Sequence, residues 1–261
     1  MRSIRAWHQW MKGGEGLSNW KKRLAAGTLA LTVLVLSAAS YHSGGTLEQD
    51  VLGPARIPAG PYVALTFDDG PKQATTPVLL DGLARRGVHA TFFVIGENVE
   101  GNELLLQRME GEGHQIGLHT YHHKMLDHLN AADFYAEVDQ LRATLTALLG
   151  RESFMLRPPY GMMNAATQDR ADSPIILWSV DPEDWSDRNT DRQVAVILDK
   201  VQDGDIILLH DIYPASVDTA LQVVDALMAK GYHFVTVEQL FAIRGQTPEN
   251  GTVYRKLPPS D

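Results

Sequence analysis

Cysteine is absent from all 261 residues. That excludes disulfides, thiolate metal ligands, a cysteine nucleophile and cysteine lipidation, so any transition-metal site must be built from His and carboxylate. Positive charge is also scarce, with 23 Lys and Arg against 32 Asp and Glu, a net −9. It is unevenly placed: residues 1–23 hold Arg2, Arg5, Lys12, Lys21, Lys22 and Arg23 against Glu15, a net +5 that leaves −14 on the rest. An acidic body without a basic, aromatic-interleaved stripe argues against a nucleic-acid partner. There is no internal repeat and no phosphate-cradling glycine motif, and the first strand runs into DDGP instead of a Gly-rich turn, which removes a dinucleotide fingerprint. What is present is 44% apolar and 21% charged. That suits a packed core, as one large domain with a short extension or as two small domains.

The basic start leads into an uncharged run, Leu24 to Ser40. At 1.5 Å per residue it reaches roughly 26 Å, short of the ~30 Å hydrocarbon core. Two readings stand: a secretory signal cleaved near Ser37-Ala38-Ala39, or an uncleaved membrane anchor. Both keep residues 1–23 in the cytoplasm and place the acidic body outside. A 41–60 linker punctuated by Gly44, Gly45, Pro54 and Pro58 follows. The expected domain covers 61–244, with a mobile tail over 245–261.

Within the domain, β-rich runs alternate with helical patterns. VALTFD ends in two adjacent carboxylates, Asp68 and Asp69, before Gly70-Pro71. Further strands are expected at ATFFVIG, HQIGLH, SFMLR, IILWSV, DIILLH and YHFVTV. Helices are expected from Thr76-Pro77 to Gly87, through Leu104 to Met109, from Asn130 to Gly150, and from Val217 to Lys230. Another follows a Thr190/Gln193 capping box. Such alternation implies parallel strands with helical crossovers: an α/β fold, first as an incomplete (β/α) barrel and second as an open doubly wound sheet.

Reactive residues fall at the strand ends, where α/β barrels carry their chemistry. His119 and His123 are four apart and would face one way on a helical turn. With a carboxylate, for which Asp69 is the candidate, they form a donor set suited to Zn²⁺ or to a non-haem Fe(II) triad. A cation there would leave Asp68 free as a base. His122, beside His123, is read as a surface or supporting residue. His8, His42, His89, His114, His128 and His233 lie off these clusters and are read as surface or internally satisfied histidines.

TFDDGP, HTYHH, RPPYG, DPEDW and LLHD resemble the five ordered motifs of the polysaccharide deacetylase family, carbohydrate esterase family 4 or NodB-like, over roughly residues 61–244. The resemblance implies a distorted (β/α) barrel and metal-dependent hydrolysis of acetyl groups on glycans. It implies Asp69, His119 and His123 as ligands of one divalent metal, zinc, with cobalt, iron, manganese or nickel as alternatives. Asp68 is then the catalytic base, Arg157 its partner, His210 the general acid and Asp184 the partner of His210. The Tyr160 backbone N–H faces the oxyanion, and Tyr160, Trp185 and Leu208 wall an acetyl-sized pocket. The role of Asp181 stays open. Leu118 departs from the asparagine of many relatives, which is expected to alter packing and not ligation. The export segment favours an acetylated envelope polysaccharide, with peptidoglycan N-acetylglucosamine as the substrate. Chitooligosaccharide or acetylxylan remain alternatives within the class, and a non-catalytic glycan-binding wall module is the alternative outside it.

Overall fold

The computed structural model describes residues 58–259. The basic segment, the Leu24–Ser40 run and most of the linker lie outside the described residues. Among the described residues no helix is long and apolar enough to cross a membrane.

Strand β1 (Tyr62–Asp68) is buried along its whole length. Val63, Leu65 and Phe67 join the larger core, while Tyr62 and Ala64 join a second core with Phe93, Met155, Ile176 and Ile206. A strand covered on both faces needs an almost unbroken apolar run, which VALTF supplies. Parallel partners β2 (Thr91–Val94), β5 (Ile206–His210) and β6 (His233–Val235) flank β1, and β3 (Gln115–Leu118) pairs with β2. Parallel neighbours require crossovers. These are α1 (Thr76–Ala84), α2 (Glu103–Gly111) and, after β5, α6 (Pro214–Ala229).

Between β3 and β5 the chain is less regular: α3 (Ala131–Leu149), α4 (Ala165–Arg170), β4 (Ile175–Ile176), then α5 (Thr190–Lys200). SFMLR supplies only a bridge residue, Leu156, paired with Leu118 and Ile175, and IILWSV adds a bridge from Val180 to Ile207. Pro158-Pro159 and Pro174 bound these segments, and proline has no N–H to extend a ladder. The sheet edges carry only single bridges here, so the barrel is distorted and incomplete.

Several helix boundaries differ from expectation. The N-cap of α1 is Thr75, since the Thr76 hydroxyl is engaged with buried Asp211. Asn189 caps α5 in place of Thr190, accepting from Arg192 N at 3.0 Å. Gln193 cannot complete a box there, because its side chain bonds Asp187 O and Thr219. YHFVTV ends as strand at Val235, where Thr236 and Gln239 form a capping box that opens α7 (Val237–Ile243). As expected, Asn130 caps α3, and Gly150 ends it at φ 72°. The segment after Arg244, expected as a tail, is built into the domain: β7 (Val253–Tyr254) pairs with β4, and Leu257 is buried in the second core. One buried leucine and a strand partner suffice to dock it.

Candidate active site

Register brings two of the expected residues together, for Asp68 on β1 pairs with His210 on β5. Arg157 is fully buried beneath them, and four acceptors fix its guanidinium. Nη1 donates to Asp68 Oδ1 and Thr66 Oγ1, each at 2.8 Å, Nε to Ile176 O at 3.0 Å, and Nη2 to Leu177 O at 3.1 Å. It also stacks over Phe93, 4.1 Å from the ring centre. A buried cation held on every side gives Asp68 one orientation, and Asp68 balances its charge.

Asp69 departs from the strand in the left-handed region, φ 72°, where Asp is better tolerated than most residues. Both adjacent carboxylates still reach one imidazole nitrogen, His119 Nε2, with Asp68 Oδ2 at 3.7 Å and Asp69 Oδ1 at 3.4 Å. Asn98 Nδ2 holds the Asp69 carbonyl at 2.8 Å, and a Cβ on Gly70 would run into the Asp211 carboxylate, so this turn requires glycine. His119 Nδ1 lies 2.8 Å from Arg157 O, where its N–H donates and leaves Nε2 as the lone-pair nitrogen. That Nε2 is 3.4 Å from Asp69 Oδ1, and His123 Nε2 is 3.3 Å from the same oxygen. Burial and the neighbouring His119 lower the pKa of His123, favouring the neutral imidazole that ligates metals. The helical turn expected for this pair is absent. Thr120 and His123 instead take left-handed backbones, φ 65° and 56°, and a tight loop folds the second ring back on the first.

The residues fit a metal. Ligand atoms of Asp69, His119 and His123 all lie within 4.8 Å of one another, and the buried Asp69 Oδ1 has no hydrogen-bond partner among the described residues. An unpartnered carboxylate oxygen facing two imidazole nitrogens is costly in isolation and suited to a cation.

Across the cleft, fully buried Asp184 grips His210 twice, accepting from its backbone N–H at 2.9 Å and meeting Nδ1 at 2.7 Å. Ser216 Oγ donates to the same carboxylate. Burial alone would lower the His210 pKa, but the bond and charge of Asp184, with Asp68 and Asp69 nearby, push it up to about 9.

These groups line one cleft of about 590 Å³ with Tyr160, Trp178, Asp181, Trp185, Leu208 and Tyr213. Tyr160 and Trp185 are exposed on its walls and Leu208 is buried. Tyr160 is held at φ 61° in the turn that follows Pro158-Pro159. Asp181 also lines the cleft, and its Oδ1 accepts from Glu183 N at 2.6 Å, which closes the loop. Eight of the ten expected site residues line this cleft, and the other two, Arg157 and Asp184, are fully buried behind it, bonded to Asp68 and His210. Sequence reasoning missed Thr66, which stands inside TFDDGP but was given no role, and Trp178, Tyr213 and Ser216, which lie outside the five motifs. His122 is half exposed, Leu118 is packed in the core, and His114 is buried with Nδ1 accepting from Ala90 N at 3.0 Å.

A family model for polysaccharide deacetylase matches residues 55–173. The chain is 39% identical over 184 residues to the peptidoglycan-N-acetylmuramic acid deacetylase PdaC of Bacillus subtilis, covering 70% of this chain and 39% of that one. It is 40% identical over 182 residues to the peptidoglycan-N-acetylglucosamine deacetylase PgdA of Listeria monocytogenes, covering 69% and 38%. The chain thus spans about two fifths of the length of these curated relatives. Among solved structures, a T48 deacetylase with substrate superposes with a TM-score of 0.71 at 41% identity, over 74% of this chain and 96% of that one.

Proposed function

The chain belongs to the polysaccharide deacetylase family, and from that premise we propose that it hydrolyses the N-acetyl group of N-acetylglucosamine in an envelope polysaccharide such as peptidoglycan. The observation that carries this reading is the convergence of three unlike units on one cleft: the Asp69–His119–His123 donors, Arg157-bound Asp68 and Asp184-bound His210. Amide hydrolysis needs a deprotonated nucleophile, a stabilised oxyanion and a protonated leaving amine, and each unit answers one need.

Asp69, His119 and His123 would hold one divalent cation, zinc before cobalt, iron, manganese or nickel, and that cation would supply Lewis acidity toward the acetyl carbonyl and toward water. Asp68, aimed by Arg157, takes the proton of the attacking water. The Tyr160 backbone N–H donates to the oxyanion of the tetrahedral intermediate. His210, kept cationic by Asp184, delivers a proton to the departing amine nitrogen. Leu208, Trp185 and the Tyr160 ring wall the acetyl group and offer the sugar a flat surface. The intact set disfavours a non-catalytic glycan-binding module. Leu24–Ser40, behind its basic flank, either anchors the domain outside the cytoplasmic membrane or directs its secretion.

Acetate release from N-acetylglucosamine oligomers and from peptidoglycan, measured on the full chain, tests the reading. Chelation should abolish release and Zn²⁺ or Co²⁺ should restore it. Activity that survives exhaustive chelation, with metal confirmed absent, would overturn the mechanism. Metal-loaded protein that binds these glycans but releases no acetate would return the binding-module reading.

A further inference from the structure

We propose that Glu137 is a positioning residue for the metal-donor loop, clamping the chain on both sides of His123. This rests on the metal site of the preceding section and extends it to a helix outside the five motifs.

Glu137 lies on α3 among Phe134, Val138, Leu141 and Leu145, on the helix face that enters the core, and is only 2% exposed. A carboxylate in an apolar stripe is costly unless its oxygens are bonded. Here they are. Oε2 accepts from the backbone N–H of His122 at 2.8 Å, and Oε1 lies 2.9 Å from His122 Nδ1 and 2.8 Å from Lys124 Nζ. The residues on either side of His123 are therefore tied to one buried carboxylate.

The loop needs such a tie. His123 and Thr120 both adopt left-handed backbones that non-glycine residues resist, and such conformations persist where surroundings over-determine them. The first half of the loop is anchored elsewhere, because the carbonyls of Thr120 and Tyr121 accept from Gly96 and Glu97 N–H at 3.0 and 2.9 Å. Glu137 anchors the second half. The His119 ring has its own brace, the Arg157 carbonyl, so loss of Glu137 should release His123 and leave His119 in place.

The test measures Zn²⁺ and Co²⁺ affinity by chelator competition on the full chain, with the Co²⁺ absorption spectrum reporting the donor set. Glu137→Ala should weaken both affinities roughly 10–100-fold and alter the spectrum, the usual cost of removing a group that orients a ligand. Glu137→Gln keeps an acceptor for the His122 N–H, so it should recover part of the loss, and it carries the test if the alanine variant does not fold. Asn130→Ala is the control for mere helix damage: it removes the α3 cap and should leave affinity and spectrum unchanged. Wild-type affinity and spectrum in folded Glu137 variants would overturn the clamp alone, as would an equal affinity loss in Asn130→Ala. A wild-type chain that takes up neither ion would sink the metal site and the clamp together.

Discussion

Two histidines, one buried and one largely shielded in the cleft wall, stand at opposite ends of the sheet and behave in opposite ways. His114 immediately precedes β3 at the bottom, and His210 ends β5 at the rim. Burial and the nearby His89 lower His114 to about 4, whereas His210 is held at about 9. Both have lost most of their contact with water. The difference is the partner: Glu112 stands 3.9 Å from His114, beyond hydrogen-bond reach, while Asp184 bonds His210 at 2.7 Å. His114 offers a lone pair to Ala90 N–H, which only the neutral ring can do. Burial alone makes a neutral structural histidine; burial with a locked carboxylate makes an acid.

The largest expected effect breaks the rim side of this comparison. His210→Ala should lower kcat roughly 10²–10⁴-fold, the usual worth of a positioned acid, with bound metal retained. His123→Ala should lose metal and activity together. Metal analysis beside acetate release separates the two, and an empty metal site in His210→Ala would remove the general-acid assignment.

Asp184→Asn sharpens the same side. Without the adjacent carboxylate the imidazolium is less favoured, so the His210 pKa falls from about 9 toward the ordinary range. The acid form is then lost at lower pH, and the alkaline limb of the kcat–pH profile should move down. An unchanged limb would dissociate Asp184 from His210.

The bottom of the sheet is tested by stability. His114 has a folded pKa of about 4 against 6.5 unfolded. Its neutral form stabilises the fold fully above pH 6.5, and that contribution drains as pH falls toward 4, by about 3 kcal/mol at most. His114→Asn keeps an acceptor for Ala90 N–H without titrating, so it should flatten this part of the pH–stability curve while kcat stays within about twofold. Urea denaturation at pH 7, 5.5 and 4.5 reads the difference.

The smallest effect is Asn130→Ala, expected to cost about 1 kcal/mol through loss of the α3 cap. Thermal melts check it, and deacetylation at the rim should not change.

Much of this was legible in the residues. Seven apolar runs and helix signals such as Asn130 and Gly150 were readable because burial and turn chemistry act over a few neighbours, whereas the roles of the site residues came from the resemblance of five ordered motifs. SFMLR shrinks to a single bridge at Leu156, and IILWSV to the two-residue strand Ile175–Ile176 with a bridge at Val180, because apolar content does not reveal where prolines withhold ladder donors. His119 and His123 were paired correctly for the wrong reason, since spacing cannot distinguish a helical turn from a left-handed loop. Glu137 did leave a trace, an acid inside a helical apolar stripe, but nothing local identified its partners.

The sequence by itself determined the α/β class, the family and the kinds of donor available: with no cysteine, a transition-metal site had to be carboxylate and imidazole. The resemblance implied which carboxylate meets which cation, but only the tertiary structure makes those contacts. Arg157 reaches Asp68 across 89 positions and Asp184 reaches His210 across 26, so these pairings exist only after the sheet has curled. Protonation state follows burial and contact, and neither is a property of a residue read in its own chain neighbourhood.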